Sequence, residues 1–466
     1  MEKFDLVVIG AGPGGYPAAI RAAQLGASVA IVEKEQVGGT CLNWGCIPTK
    51  FLIAAAELCT NVRAASSIGI VARDLAVDYA ALIRRKNEVL AKLRGGVEML
   101  LKGNAVRVYR GEGSFLGRNR IQVAQAEGTA VLDAGAVILA TGSVSAMPAF
   151  LPRHPRIVES RSFLDLAQLP ASVLVLGGGV IGCEFACLLA PLGVRVTVVE
   201  MLEDIVAPLD ADVRRELRRR MEGALGVRFI TRVPLQDITS DDRGVSGTAN
   251  GEKIEAELLL AAVGRSPCTK GLHLEAAGLQ TTKAGRIEVD DFCQTAAATV
   301  YAIGDVTPGI QLAHRATSQG ITAAANACGK RVRAETVIPS CIFTSPEIGS
   351  VGLSEQDAKA GGLEVRVGKF PFIALGKAVA TGHTEGFVKW LADAKTGQLV
   401  GAHAVGAHAT DLIAEAGVAI RAQLTAEEVA RTVHAHPTLA EAWVEAAESV
   451  HGACIHLPQR PTRRPA

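Results

Sequence analysis

The sequence has almost no excess of charge of either sign. It carries 48 Lys and Arg against 47 Asp and Glu, a formal net of +1. So balanced a chain exerts no bulk attraction on nucleic acid or on an anionic membrane surface. Aromatic residues are 4% of the chain, too few for a surface on which single-stranded bases would stack. No apolar run reaches the ~18 residues of a transmembrane helix. A strand reads from Asp5 (DLVVIG), which leaves a signal peptide no room. Ten Cys in 466 residues are too sparse for a secreted disulfide scaffold. The expectation is a cytoplasmic protein with no nucleic acid and no membrane partner. In that reducing setting a close Cys pair is catalytic or metal-binding before it is structural.

What the chain does have is glycine and buried strands. The 49 Gly are about one residue in ten, above the usual ~7%, which predicts many tight turns and close backbone approaches to ligand. Hydrophobic residues at 49% and charged ones at 20% make a globular chain. Its length predicts about three domains. Short apolar runs ending in Gly or Glu begin at Leu6, Val29, Val137, Val173, Val196, Leu258 and Val300, with Ala- and Leu-rich helical stretches between them. Buried strands alternating with helices predict parallel α/β sheets. After about Val337 the pattern changes to half-buried antiparallel strands, followed by helical stretches at 412–420, 426–431 and 439–450. The Pro- and Arg-rich tail from Leu457 reads as a solvated terminus.

The first two-thirds contain a duplication. GAGPGG begins at Gly10 and the next strand ends at Glu33, 23 residues on; GGGVIG begins at Gly177 and its next strand ends at Glu200, also 23 residues on. A lone glycine fingerprint is weak, but each copy here follows a strand, opens a helix and precedes a strand ending in Glu. Gly10 permits the turn, Gly12 lets backbone approach a pyrophosphate, and Gly15 lets helix pack on strand. Gly177, Gly179 and Gly182 repeat those roles. The helix N-terminus favours phosphate, and Glu33 and Glu200 are placed to bond ribose hydroxyls. Glu200, followed by Met201 and Leu202 rather than Arg, predicts NAD over NADP.

Between the copies lies GGTCLNWGCIPTK, Gly38–Lys50. Cys41 and Cys46 can close a disulfide if the segment is helical or tightly turned, and a helix start lowers a thiol pKa. A buried apolar pair or half of a zinc site are the competing readings. Cys183 and Cys187, one turn apart in the second glycine helix, read as packing. Dithiols and nicotinamides exchange electrons poorly without a carrier, so a Cys pair beside two dinucleotide folds predicts a thiol–flavin–nicotinamide relay. FAD would take the first fold, nearest the Cys pair. Near the C-terminus, HAHPTLAEAWVEAA places Glu441 five residues beyond His436, a general acid–base pairing, although a structural His and a His-x-His metal site share that signature. His434 has no carboxylate at the same offset.

Together these motifs resemble the flavin disulfide reductases, and within them the dihydrolipoamide dehydrogenase branch. The likeness runs from Phe4 to about Ala453 and is most specific in GGTCLNWGCIPTK, in YAIGDV with LAHRA, and in HAHPTLAEA. It implies two Rossmann-like folds, for FAD and NAD, and a C-terminal α+β dimerisation domain. The boundaries expected are 1–145 and 269–336 for the two parts of the FAD domain, 146–268 for the NAD domain and 337–466 for the interface domain.

The resemblance also implies roles. Cys41 is the interchange thiol and Cys46 the thiol that contacts the flavin. Lys50 lies near the flavin and pairs with Glu184 beside the nicotinamide. Asp305 bonds the FAD ribityl chain, and Thr40, Gly113, Thr141, Gly142, Ser143, Gln311, Leu312, Ala313 and His314 are further FAD contacts. Val233 and Gly264 contact NAD. His436 is the base, oriented by Glu441 and contributed by the partner subunit of a homodimer. The implied activity is NAD⁺-dependent oxidation of protein-bound dihydrolipoyl groups, on lipoyl domains of a 2-oxo-acid dehydrogenase complex or on the glycine cleavage lipoyl protein. A glutathione- or mercury-reducing enzyme would prefer NADPH, and a low-turnover FAD-binding redox sensor would keep its dimer yet turn over little. Trp44 between the cysteines departs from the smaller or more flexible residue usual there.

Overall fold

The computed structural model describes residues 2–458; most of the tail begun at Leu457 lies outside the described residues. Its first sheet has seven strands. Arg107–Arg110, Val29–Glu33, Glu2–Ile9 and Gly128–Leu139 lie side by side in parallel, and Val300–Ala302 pairs with the last of these. Leu6 to Ile9 are buried on both faces, as a central parallel strand between helices must be. Gly128–Leu139 changes partners along its length. Its second half runs parallel to Glu2–Ile9, while its first half pairs antiparallel with Arg120–Gln125, which turns back on Glu112–Gly117.

The second sheet repeats the parallel core in the order Arg228–Thr231, Arg195–Glu200, Ser172–Leu176, Leu258–Ala261, Ile157–Glu159. A three-stranded antiparallel sheet, Gln236–Asp241, Gly244–Ala249 and Glu252–Ala256, is appended to it. A short ribbon of Ser143–Ser145 with Arg265–Pro267 joins the regions of the two folds. The third sheet is a five-stranded antiparallel one, Ser340–Ile342, Glu347–Gly352, Leu399–Gly406, Phe387–Asp393 and Val365–Pro371. The expected architecture, two doubly wound folds and an α+β unit, is the one the chain forms. The antiparallel hairpins inside both nucleotide folds are additions to it.

Two indoles fix the helices on the third sheet. Trp390 and Trp443 are fully buried with ring centroids 4.6 Å apart. Trp390 Nε1 donates to the Trp443 carbonyl at 3.1 Å, and Trp443 Nε1 donates to the Leu412 carbonyl at 3.2 Å. These bonds satisfy both indole N–H groups inside an apolar core. They also anchor the helix Glu441–Val450, whose first residue carries a carboxylate of the candidate site.

Lys389, on the strand Phe387–Asp393, is buried at 1% exposure and sits among carboxylates from other elements. Its ammonium lies 2.9 Å from Asp210, which caps the helix Ala211–Gly223 of the second fold, 3.3 Å from Asp212, and against Glu355. This charge cluster ties the second nucleotide fold to the third sheet.

Candidate active site

Both glycine loops place their third glycine where only glycine fits. A Cβ on Gly15 would collide with the Gly10 carbonyl oxygen, and one on Gly182 with that of Gly177. The acidic strand ends are likewise duplicated. Glu33 accepts from the Ala11 amide at 2.7 Å and the Glu35 amide at 2.8 Å. Glu200 accepts from the Gly178 amide at 2.6 Å and the Leu202 amide at 2.7 Å. Each carboxylate is thereby fixed beside its loop. Val233 donates its amide to the Glu200 carbonyl at 3.4 Å, which puts it beside the second of them.

The Cys segment folds as a short helix, Gly39–Trp44, broken at Gly45 and resumed as Cys46–Ala64. Cys41 and Cys46 are joined as a disulfide, with Cα atoms 4.6 Å apart. Of the competing readings, the pair is therefore a linked dithiol. Cys46 is the first residue of a 19-residue helix, where the dipole favours a thiolate; Cys41 is the third residue of the six-residue helix before it. Thr40 is its neighbour in that short helix. Asn43, unremarked in the sequence, is buried and holds the turn: its amide donates to the Val37 and Gly39 carbonyls at 3.0 and 2.9 Å. Trp44 is stacked under the Arg161 guanidinium at 3.8 Å, and Arg161 pairs with Glu35 at 3.0 Å. Cys183 and Cys187 are buried, and burial pushes the Cys187 thiol up to about 12, so both are packing groups.

Lys50 stands one turn beyond Cys46. Its ammonium lies 2.8 Å from both oxygens of the buried Glu184, in the second glycine helix Val180–Leu189. The Phe343 amide donates to the same carboxylate at 3.0 Å, and the Phe343 ring faces the Lys50 ammonium at 4.6 Å. Three regions of the chain thus meet at one ion pair. The part of Phe343 is a backbone contact across 159 residues and has no sequence signature.

Of the residues expected at the first cofactor, Ser143 and Asp305 meet directly. Ser143 Oγ donates to Asp305 at 2.5 Å and receives Arg265 Nε at 2.8 Å. Thr141 Oγ1 donates to the Cys268 carbonyl at 2.7 Å, and the Gly142 carbonyl receives the Cys268 amide at 2.9 Å. Arg265 was not anticipated, although its place after the Gly264 turn marks it. Leu312 precedes the helix Ala313–Ala327, and His314 Nε2 meets the Pro339 carbonyl at 2.6 Å. Gly113 is packed, since a Cβ there would press on Ile9 and Val32 at 3.2 Å.

The residues present fit two dinucleotides. Gln311 Nε2 is buried and meets no acceptor among the described residues, a donor aimed at something the chain does not supply. Added Cβ atoms at Gly142, Gly179 and Gly264 would meet no atom within 4 Å among the described residues, so ligand can reach backbone there.

His436 lies in the loop before the helix Glu441–Val450, and its side chain is 76% exposed. Nδ1 is 2.8 Å from Glu441 Oε1, and Glu441 Oε2 accepts the Thr438 amide at 2.8 Å. Burial pushes the Glu441 carboxyl upward, but the Thr438 amide and the His436 ring outweigh it and hold its pKa below the ordinary value. A carboxylate so fixed orients the ring and leaves Nε2 outward, free to exchange a proton. His434 indeed has no carboxylate at that offset, but it meets one from elsewhere, Glu415 of the helix Ala409–Arg421, at 2.6 Å; a partner 19 residues away in the chain has no offset to read.

Comparison with known proteins agrees with this geometry. The pyridine nucleotide-disulphide oxidoreductase pattern matches residues 4–320, and the dimerisation domain of the same family matches residues 338–447. Dihydrolipoyl dehydrogenase of Halobacterium salinarum is 43% identical over 98% of both chains. That of Geobacillus stearothermophilus is 41% identical, again over 98% of both. Among solved structures, LpdA of Mycobacterium tuberculosis superposes with a TM-score of 0.89 at 30% identity, covering 96% of this chain and 99% of that one. A disulfide joined to the Lys50–Glu184 pair, two glycine loops and a matching interface domain leave one conclusion: the chain belongs to the pyridine nucleotide-disulphide oxidoreductase family.

Proposed function

We propose that the chain is a homodimeric dihydrolipoyl dehydrogenase that passes electrons from protein-bound dihydrolipoyl groups to NAD⁺. The observation that carries this reading is the Cys41–Cys46 disulfide one turn ahead of a lysine paired to the second glycine helix. That arrangement links dithiol chemistry to a nicotinamide site. FAD and NAD are the cofactors. Residues 1–145 and 269–336 would hold FAD, 146–268 NAD, and 337–466 the dimer interface.

In the reductive half, His436 of one subunit takes the proton of an attacking dihydrolipoyl thiol at the other. The thiolate sulfur bonds to Cys41 Sγ as the Cys41–Cys46 bond breaks, and Cys46 leaves as a thiolate. The second lipoyl thiol gives up its proton as its sulfur attacks the first, closing the lipoyl ring and expelling Cys41; His436 passes its first proton to the leaving Cys41 sulfur and takes this second one, so both lipoyl protons are held, one on Cys41 and one on His436. Two electrons have moved from the lipoyl dithiol to the Cys pair. Bound FAD supplies the two-electron carrier between that pair and the nicotinamide. Lys50 and Glu184 hold the helices that bring the two sites together. Glu200 selects a free ribose 2′-hydroxyl. Asp305, Ser143, Arg265 and Gln311 bind and orient the first cofactor.

The exposure of His436 supports a cross-subunit role, since its ring points out of its own chain. The reading extends to the partners and setting: lipoyl domains of a 2-oxo-acid dehydrogenase complex or of glycine cleavage, in the cytoplasm. Among the described residues no helix is long and apolar enough to cross a membrane. The test is steady-state reduction of NAD⁺ by free dihydrolipoamide, run beside NADP⁺. Turnover with NAD⁺ supports the reading; turnover only with glutathione disulfide and NADPH overturns it.

A further inference from the structure

The proposed base has a partly buried neighbour that the reaction scheme does not use. The His434 side chain is 9% exposed, in contrast to His436 two residues on. Its Nδ1 lies 2.9 Å from the Thr432 carbonyl oxygen and its Nε2 2.6 Å from Glu415 Oε1. A carbonyl and a carboxylate oxygen only accept. Neutral imidazole has one N–H and one lone pair, so a neutral ring would set a lone pair against one of these oxygens. Both contacts are hydrogen bonds only when both nitrogens carry protons.

We propose that His434 is a positioning residue for the base: held as an imidazolium between Glu415 and Thr432, it clasps the loop that presents His436. The proposal rests on the reading of His436 as the base. The charged groups around His434 come from three elements. Glu415 lies on the helix Ala409–Arg421, Glu441 opens the helix Glu441–Val450, and His436 shares the loop. Arg431, after the helix Ala426–Ala430, is turned to Glu427 at 3.7 Å. Burial opposes charge on His434, but the Thr432 carbonyl and the carboxylates of Glu415 and Glu441 outweigh it and raise its pKa.

The clasp fixes the loop mechanically, because it is a charge-assisted bond from a partly buried ring to a neighbouring helix.

The test uses FAD-loaded dimers of His434→Gln, Glu415→Gln and Glu415→Asp. His434→Gln should slow reduction of the Cys pair by dihydrolipoamide about tenfold while flavin reduction by NADH stays within about twofold. The loss should fall on kcat for dihydrolipoamide rather than on KM. Glu415→Gln keeps an acceptor oxygen but drops the charge and should lose less; Glu415→Asp should restore the rate. Amide hydrogen exchange in residues 432–440 should accelerate in His434→Gln. Wild-type reduction by dihydrolipoamide in both His434→Gln and Glu415→Gln overturns the proposal, as does an equal loss in the NADH half-reaction. If His436→Gln keeps wild-type reduction by dihydrolipoamide, the base assignment itself fails. Loop exchange then judges the clasp separately, and unchanged exchange in His434→Gln rejects it.

Discussion

The two glycine loops are built alike and covered differently. In both, a glutamate at the end of the second strand accepts two backbone amides, and the third glycine lies against the first. The first loop, however, is roofed by its own chain. Each loop receives one backbone amide from the segment after its acidic strand, Gly38 to the Ala11 carbonyl and Val206 to the Gly178 carbonyl, both at 2.8 Å; but only in the first would a Cβ on Gly39 stand 2.6 Å from Gly12 Cα, and Thr317 Oγ1 donates to the Pro13 carbonyl at 2.8 Å. At the second loop an added Cβ on Gly179 meets nothing within 4 Å among the described residues, and Val180, Met201 and Leu202 beside it are exposed. A roofed loop suits a cofactor that stays through turnover. An open one suits a cofactor that must enter and leave at every cycle. On the proposed assignment, one fold used twice serves residence in one copy and exchange in the other because of what the rest of the chain lays over it.

The largest expected effect lies at the roof. Cys41→Ser or Cys46→Ser should lower dihydrolipoamide oxidation by at least about a thousandfold, since each removes a sulfur that must bond. FAD content should stay at wild-type level in both, as measured by absorbance of the purified dimer. Retained turnover in both variants would make the pair structural.

Next come the paired glycines. Gly15→Ala should abolish FAD retention, whereas Gly182→Ala should keep FAD and the dihydrolipoamide half-reaction but lose NAD⁺ binding. Equal loss of FAD in the two would erase the distinction between the loops. The tie between the second fold and the third sheet gives a stability prediction. Lys389→Met leaves the buried Asp210 without its cation, while Asp212 keeps Lys369 at 3.0 Å, and should cost about 3–5 kcal/mol in equilibrium urea unfolding at pH 7. A smaller effect is expected from Glu200, the carboxylate of the open loop. NAD⁺ should exceed NADP⁺ in kcat/KM by at least about tenfold, only ~1.4 kcal/mol, and Glu200→Gln should narrow the gap.

Much of this was legible from the chain. The seven apolar runs are strands because their period and Gly or Glu ends match what a buried parallel strand needs, and both dinucleotide loops fall where the fingerprints lie. The helix Tyr79–Gly103 was not singled out; Gly95 and Gly96 fall inside it. Neither has a neighbour that a Cβ would strike, so the helix runs through them. The hairpins within the two folds were missed because their short, polar strands, such as Gln236–Asp241, hide beside stronger parallel signals. Contacts such as Phe343 with Glu184 and His434 with Glu415 join residues far apart in the chain, and no local pattern encodes them.

The central claim is that the dithiol of one subunit and the histidine of the other make one site. Hybrid dimers of Cys41→Ser and His436→Gln subunits test it, because both parents are nearly inactive while each hybrid carries one site with neither change. Random mixing makes half the dimers hybrid, so the account predicts recovery of about a quarter of wild-type dihydrolipoamide oxidation. Folded, FAD-loaded hybrids with no activity above the parents would contradict it and place both groups in the same subunit.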